Sequence, residues 1–352
     1  MKYDFGGAGK RLLENIRKGF WDVDGYFAKE KLIGTDKAFL WPYGGYTEAV
    51  AAHYQLFGGE EAEKIYRDTL QGIIPYQVCR NDGLLSYAAA HGGSGDVYYD
   101  DNVWLAIIFH NAFYNLKDKK WLELSERITE FCYSGWDEKL GGGVYWQENN
   151  KTSKNTCINA PLAKISAQLY KATGKQKYLD WAEKIYKWTK ETLMDTSDYI
   201  YNDNINLEGK INTWKFAYNT GCMIGAAAHL YQITGNENYL EDAKRSADSA
   251  LNGGFGTWEN GVYMLKDTNP WFNSWLLDGY MALYEVYPKD EYILSFASAA
   301  AYAAENATNS SGFIDKDWVS KEYPDEKVHL LDQSGTARIL FDIQLWANRY
   351  NK

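Results

Sequence analysis

The segment LYKATGKQKYLDWA, Leu169 to Ala182, returns 61 residues later as LYQITGNENYLEDA, Leu230 to Ala243. Looser copies begin at Phe113 (FYNLKDKKWLELS), at Leu283 (LYEVYPKDEYILSFA) and, most degenerate, at His53 (HYQLFGGEEAEKIY). Aligned on Tyr54, Tyr114, Tyr170, Tyr231 and Tyr284, the copies step by 60, 56, 61 and 53 residues. Self-similarity at such a period marks a chain built from stacked supersecondary units. Six units of about 59 residues span the 352-residue chain, the last being split between its two ends.

Each unit reads as two helices around a tight turn. After Thr173-Gly174, apolar residues fall at Tyr178, Leu179, Ala182, Ile185, Tyr186, Thr189 and Leu193, the stripe of an amphipathic helix with one buried face. Gly174 and Gly235 stand where a helix C-terminus favours a left-handed residue. The helix before a turn is different in kind: Val103 to Phe113 (VWLAIIFHNAF) is apolar nearly all round, so it is buried on both sides. An apolar inner helix, a short turn and an amphipathic outer helix, repeated six times, predict an all-α (α/α)6 toroid, a single catalytic domain over residues 1–352. The helix near Leu12 to Trp21 pairs with that near Ala337 to Tyr350 to close the ring. An open solenoid is the competing arrangement, but solenoid ends carry polar caps, and both ends here are apolar-striped.

The connections from outer to inner helices are long, at 22–40, 76–99, 135–156, 195–216, 252–272 and 307–331. Topology puts all six on one face of the ring, and long connections in a compact domain are usually functional. Aromatic residues gather there. The chain holds 14 Trp, 29 Tyr and 14 Phe, beyond what a core of this size needs, and aromatic faces stack on sugar rings and on bases. With 37 basic against 47 acidic residues, net −10 and no basic cluster, nucleic acid is excluded as a partner, leaving carbohydrate. No apolar run approaches the roughly 20 residues of a membrane span. The four cysteines show no metal or disulfide spacing, and residues 1–20 have no signal-peptide apolar core, which together predict a cytoplasmic protein. There is no H-E-x-x-H, no EF-hand loop and no G-x-x-x-x-G-K-[ST], so neither metal nor cofactor is expected; the run Gly92 to Asp96 (GGSGD) lacks a phosphate-binding lysine.

The sharpest local feature is YYDDNVW, Tyr98 to Trp104, where a long connection enters an inner helix. Asp100 and Asp101 have an ordinary reading as acids that complement a helix N-terminus. Capping needs one carboxylate, however, and two adjacent ones repel. Facing a cavity, they titrate as a coupled pair with separated pKa values, which is what acid and nucleophile in a glycosidase require.

Y-D-D-N-x-W on an apolar helix, the L-Y-x-x-T-G hairpins and Y-N-T-G at Tyr218 to Gly221 together resemble glycoside hydrolase family 76, over nearly the whole chain. The resemblance implies an endo-α-1,6-mannanase with an (α/α)6 barrel and a retaining double displacement, in which Asp100 is the nucleophile and Asp101 the acid/base. It also implies that Asp203 is a further acid of the cleft, against an ordinary Asx-turn reading. Asn102, Asn155 and Asn219 are candidates for sugar hydrogen bonding or for capping. Trp41, Tyr99, Trp146, Trp271 and Trp275 are candidates for stacking on sugar or for packing. The missing secretion signal departs from the family's pattern and points to oligosaccharides inside the cell. Two other readings stay open: a six-hairpin epimerase or uronyl hydrolase working through His91 or His329, and a non-catalytic carbohydrate-binding toroid that keeps the aromatics but has no use for the acid pair.

Overall fold

A computed structural model describes residues 3–22 and 27–352. The first long connection therefore lies partly outside the described residues, at 23–26. So do the first two residues of the expected domain.

The described residues form twelve helices in hairpin pairs. The inner members are α2 (Leu40–Phe57), α4 (Tyr99–Leu116), α6 (Thr156–Thr173), α8 (Ala217–Thr234), α10 (Pro270–Tyr284) and α12 (Leu330–Tyr350). The outer members are α1 (Phe5–Phe20), α3 (Glu60–Gln71), α5 (Lys119–Tyr133), α7 (Gln176–Leu193), α9 (Glu237–Ser249) and α11 (Glu291–Asn306). Each inner helix packs against the next, α12 against α2 completes the circle, and α1 packs against α12, which makes an (α/α)6 toroid and removes the open-solenoid alternative. Buried apolar residues from all twelve helices join in one continuous cluster.

The two rings differ as their sequences demand. Only one face of α7 is buried, through Tyr178, Ala182, Ile185, Tyr186, Trp188, Thr189 and Leu193, whereas α4 is buried from Asn102 through His110 without a break. At the turns, Gly174 and Gly235 adopt φ of 70° and 68°, and their N–H groups close onto Tyr170 and Tyr231 at 2.8 Å. Inside the ring, α8 and α10 cross backbone to backbone. A Cβ on Gly221 would lie 2.3 Å from the Trp275 carbonyl, and one on Gly279 would lie 2.2 Å from the Gly221 carbonyl. The glycine of Y-N-T-G is therefore a packing requirement.

The long connections are not structureless. They carry a short pair, β1 (Trp21–Asp22) with β2 (Phe27–Ala28), and a three-stranded sheet of β3 (Ser153–Asn155), β4 (Asn202–Asn206) and β5 (Ile211–Lys215). A hairpin of β6 (Gly256–Glu259) and β7 (Val262–Leu265) completes the set. The middle sheet ties two connections together, through β3–β4 pairing, before either chain enters the next inner helix. Tyr145, Tyr201 and Tyr263 pack under these sheets, so part of the aromatic surplus on this face is core.

Candidate active site

A cleft of about 1300 Å³ opens on the face that carries the long connections, and all six of them line it. It exceeds the 300–1,000 Å³ typical of a small-molecule pocket, so it has room for more than one sugar ring. Helix register decides which residues reach it. The second residue of every inner helix lines the cleft: Trp41, Asp100, Cys157, Tyr218, Trp271 and Leu331. The fourth residue points the other way, since about 200° of helical rotation separates the two. In five helices that fourth residue is buried and bonds back to the connection just left. Asn102 grips the N–H and C=O of Tyr87, at 2.8 and 2.9 Å, and Asn159 grips those of Val144 at the same distances. Thr220 accepts from Tyr201 N, Asn273 donates to the Asp267 carbonyl, and Gln333 grips Ile314.

This register corrects four expectations. Asn102 is one of the clamps, fully buried and outside the cleft. Tyr99, the first residue of α4, faces outward and stacks on Phe131 of α5 at 4.9 Å. Asn219, the third residue of α8, is buried beside the cleft without lining it, and neither end of its amide meets a partner among the described residues. Trp275 lies a turn below Trp271 in the ring's interior, with the Arg338 guanidinium over its face at 4.2 Å and Lys164 at 4.7 Å. The other seven candidates come together. Trp271 forms floor, its Nε1 donating to Glu48 beneath at 3.0 Å. Trp41 stacks on Phe272, and Phe272 on Tyr218 at 4.2 Å, to make one wall. Asn155, accepting from Ser153, and Asp203, accepting from Asn204 and Asn212, make another.

Asp100, Asp101 and Trp146 form the centre. Asp100 Oδ2 accepts from Trp146 Nε1 at 2.8 Å and from Cys157 Sγ at 3.2 Å, while Oδ1 accepts the Asp101 N–H at 3.0 Å. No hydrogen bond reaches the Asp101 carboxyl from any described residue, although it too lines the cleft. Burial raises both acids above the usual carboxylate range. For Asp100 the donors from Cys157 and Trp146 oppose that rise. For Asp101 the Asp100 charge adds to it. The two carboxyls therefore stand in unequal surroundings, with the rise opposed at Asp100 and reinforced at Asp101. Neither is the N-cap, a position held by Tyr98.

Several cleft residues escaped the reading by residue type. Cys157, Tyr218 and Leu331 follow from the second-residue rule, and Trp104 lies on the floor, 5.0 Å from Trp271. Lys316, Lys327 and Asp332 come from around the last connection, where no repeat guides the eye. His329 lines the cleft at the start of α12, whereas His91 packs against Tyr76 and Phe27. Among the described residues no group of His, Cys, Asp and Glu has the arrangement to hold a metal ion, and no helix is long and apolar enough to cross a membrane.

Fold and site together define a six-hairpin toroid with an adjacent carboxyl pair at the centre of an aromatic-walled cleft. The chain belongs to glycosyl hydrolase family 76, whose model matches residues 10–340. It is 27% identical to the mannan endo-1,6-alpha-mannosidase of Candida glabrata over 227 residues, 60% of this chain and 50% of that protein. The chain thus spans about half the length of the curated relatives it matches. A family 76 glycoside hydrolase from a bovine Bacteroides thetaiotaomicron strain superposes with a TM-score of 0.91 at 27% identity, over 98% of this chain and 78% of that one. An inactive variant of the α-1,6-mannanase of Salegentibacter sp. HEL1_6, two consecutive aspartates replaced by asparagine, in complex with α-1,6-mannotriose, superposes with a TM-score of 0.84 at 26% identity. That match covers 97% of this chain and 99% of the other.

Proposed function

We propose that this chain hydrolyses α-1,6-mannosidic bonds within mannan-type oligosaccharides, by a retaining double displacement that uses Asp100 as nucleophile and Asp101 as acid/base. The observation that carries the reading is the unequal support of two adjacent carboxyls: three donors on Asp100, none on Asp101. In the first step an Asp100 oxygen bonds the anomeric carbon as the bond to the departing sugar oxygen breaks, and the Asp101 proton goes to that oxygen. In the second, Asp101, now a carboxylate, takes a proton from water, whose oxygen displaces Asp100 and restores the starting state.

The cleft supports a neutral sugar. Seven carboxyl residues line it (Glu30, Asp96, Asp100, Asp101, Asp203, Glu326 and Asp332) against Lys316 and Lys327, a field that repels a uronate and so disfavours the uronyl hydrolase alternative. The α-1,6-mannose specificity draws on the curated relatives and on the mannotriose bound by the Salegentibacter variant. The test is product analysis on α-1,6-linked mannotetraose. The wild-type chain releases shorter mannooligosaccharides, and Asp100→Asn and Asp101→Asn release none. Unchanged turnover in either variant would overturn the assignment.

A further inference from the structure

We propose that Cys157 is a positioning residue for this reaction: its thiol, donating to Asp100 and not to Asp101, selects the nucleophile of the pair and leaves Oδ1 as the attacking oxygen. The inference rests on the reading of Asp100 as nucleophile.

The second position of each inner helix faces the cleft, and at five of the six it holds an aromatic residue, an acid or a leucine. Only α6 presents a thiol there, and the thiol turns to the acid at the same position of the neighbouring helix α4. Oδ2 of Asp100 takes both side-chain donors, Cys157 Sγ at 3.2 Å and Trp146 Nε1 at 2.8 Å. It is thereby fixed in place, and Oδ1, touched only by the adjacent peptide N–H, is the less encumbered oxygen. The titratable groups facing Asp100 are Asp101 and Tyr98 from its own helix start, Cys132 from α5, Cys157 from α6, and Tyr218 from α8, with Asp203 of β4 beyond Cys157 and Tyr218. No cation is among them. The charge on Asp100 is therefore carried by neutral donors and by the N-terminus of α4, so removal of one donor has to register in its titration. Burial, then the charge of Asp100, pushes the Cys157 thiol well up, which keeps its proton available for donation. A thiol is a weak donor. It orients the carboxylate while withdrawing little of the charge that attacks.

The experiment compares Cys157→Ala, Cys157→Ser and Asp100→Asn on α-1,6-mannotetraose, with thermal melts to show that each is folded. In Cys157→Ala, kcat falls roughly tenfold with KM changed by less than about twofold, since the interaction acts through the nucleophile. The acidic limb of the kcat/KM profile, where Asp100 becomes protonated, moves up by about half a pH unit or more, because the ionised form has lost a donor. Cys157→Ser, a stronger donor of similar size, restores the rate and returns the limb to or below its original place. A limb that stays put in Cys157→Ala, or a serine variant as slow as the alanine one, overturns the inference. If Cys157→Ala does not fold, the downward limb of Cys157→Ser decides alone. Asp100→Asn separates the two levels: activity retained there removes the nucleophile assignment itself, whereas an inactive Asp100→Asn beside a wild-type-like Cys157→Ala removes only the role of Cys157.

Discussion

Two groups of carboxyls lie along the axis of the ring, with Trp271 and Trp275 between them. Above, in the cleft, neither Asp100 nor Asp101 forms an ion pair with any described residue. Below, Glu48, Asp278 and Asp342 surround Arg338, whose nitrogens lie 2.9 Å from Glu48, 3.1 Å from Asp278 and 3.4 Å from Asp342; Lys164 pairs with Asp278 as well. Burial lifts Glu48 and Asp342 against the pull of Arg338, and against the same burial Lys164 and Arg338 hold Asp278 below the ordinary range. The lower set is a network in which every acid has a cationic partner, and it fixes α2, α6, α10 and α12 to one another. The upper set leaves one acid without a partner. An acid buried beside its counter-ion needs no function to explain it, whereas two adjacent buried acids with no counter-ion are a standing cost that a structural role would have removed.

That contrast can be broken most severely at the upper pair. Asp100→Asn or Asp101→Asn is expected to reduce turnover at least about a thousandfold and to raise the melting temperature by a few degrees. The sign follows from the direction of the shifts. A carboxyl whose folded pKa is raised destabilises the fold above its unfolded pKa, and the cost fades as pH falls through the folded value. The gain in the asparagine variants is therefore greatest near neutral pH and vanishes below about pH 4, which melts across a pH series will register. Variants less stable than wild type at neutral pH would place the pair in the same structural category as the lower set.

The lower set should respond in the opposite sense. Arg338→Met strands Glu48 and Asp342, leaves Asp278 to Lys164 alone, and is expected to cost about 3–5 kcal/mol in urea unfolding, with part recovered in the Arg338→Met/Glu48→Gln double variant. Equal stability of Arg338→Met and wild type would mean that the network holds nothing together.

A smaller effect belongs to the clamps that join the two regions. Asn159→Ala frees Val144, which lies on the same connection as Trp146, and should cost about 1–3 kcal/mol of stability. The accompanying loss of kcat should be smaller than that of either aspartate variant, because Trp146 then holds Asp100 less firmly. Loss of stability with kcat and the pH profile untouched would detach the clamp from the site.

The ring was legible because its signal is repeated. Five copies of one hairpin in a chain with the length of six, with the L-Y-x-x-T-G turn in two of them, place the helices and gather the long connections on one face before any contact is known. The acid pair was legible because adjacent carboxylates are difficult to explain otherwise. What could not be read was rotation. Asn102 and Asp100 stand two positions apart at a helix start and face opposite ways, and Tyr99 turns to α5 while its neighbour Tyr98 lines the cleft. A shift of one residue in where a helix begins exchanges these roles, and helix ends are uncertain by that much in any sequence. Cys157 is silent in the sequence for a related reason: a lone cysteine carries no local pattern, and its meaning comes from Asp100 on the neighbouring helix.

The most direct test of the central claim, that an ionised Asp100 and a protonated Asp101 divide nucleophile from acid, is the anomeric form of the first product. Proton NMR during the earliest turnover of α-1,6-mannotetraose reads it before mutarotation. The double displacement predicts the α-anomer first, with the β-anomer growing in later. A β-anomer formed first would mean single displacement by water, and Asp100 would no longer be the nucleophile.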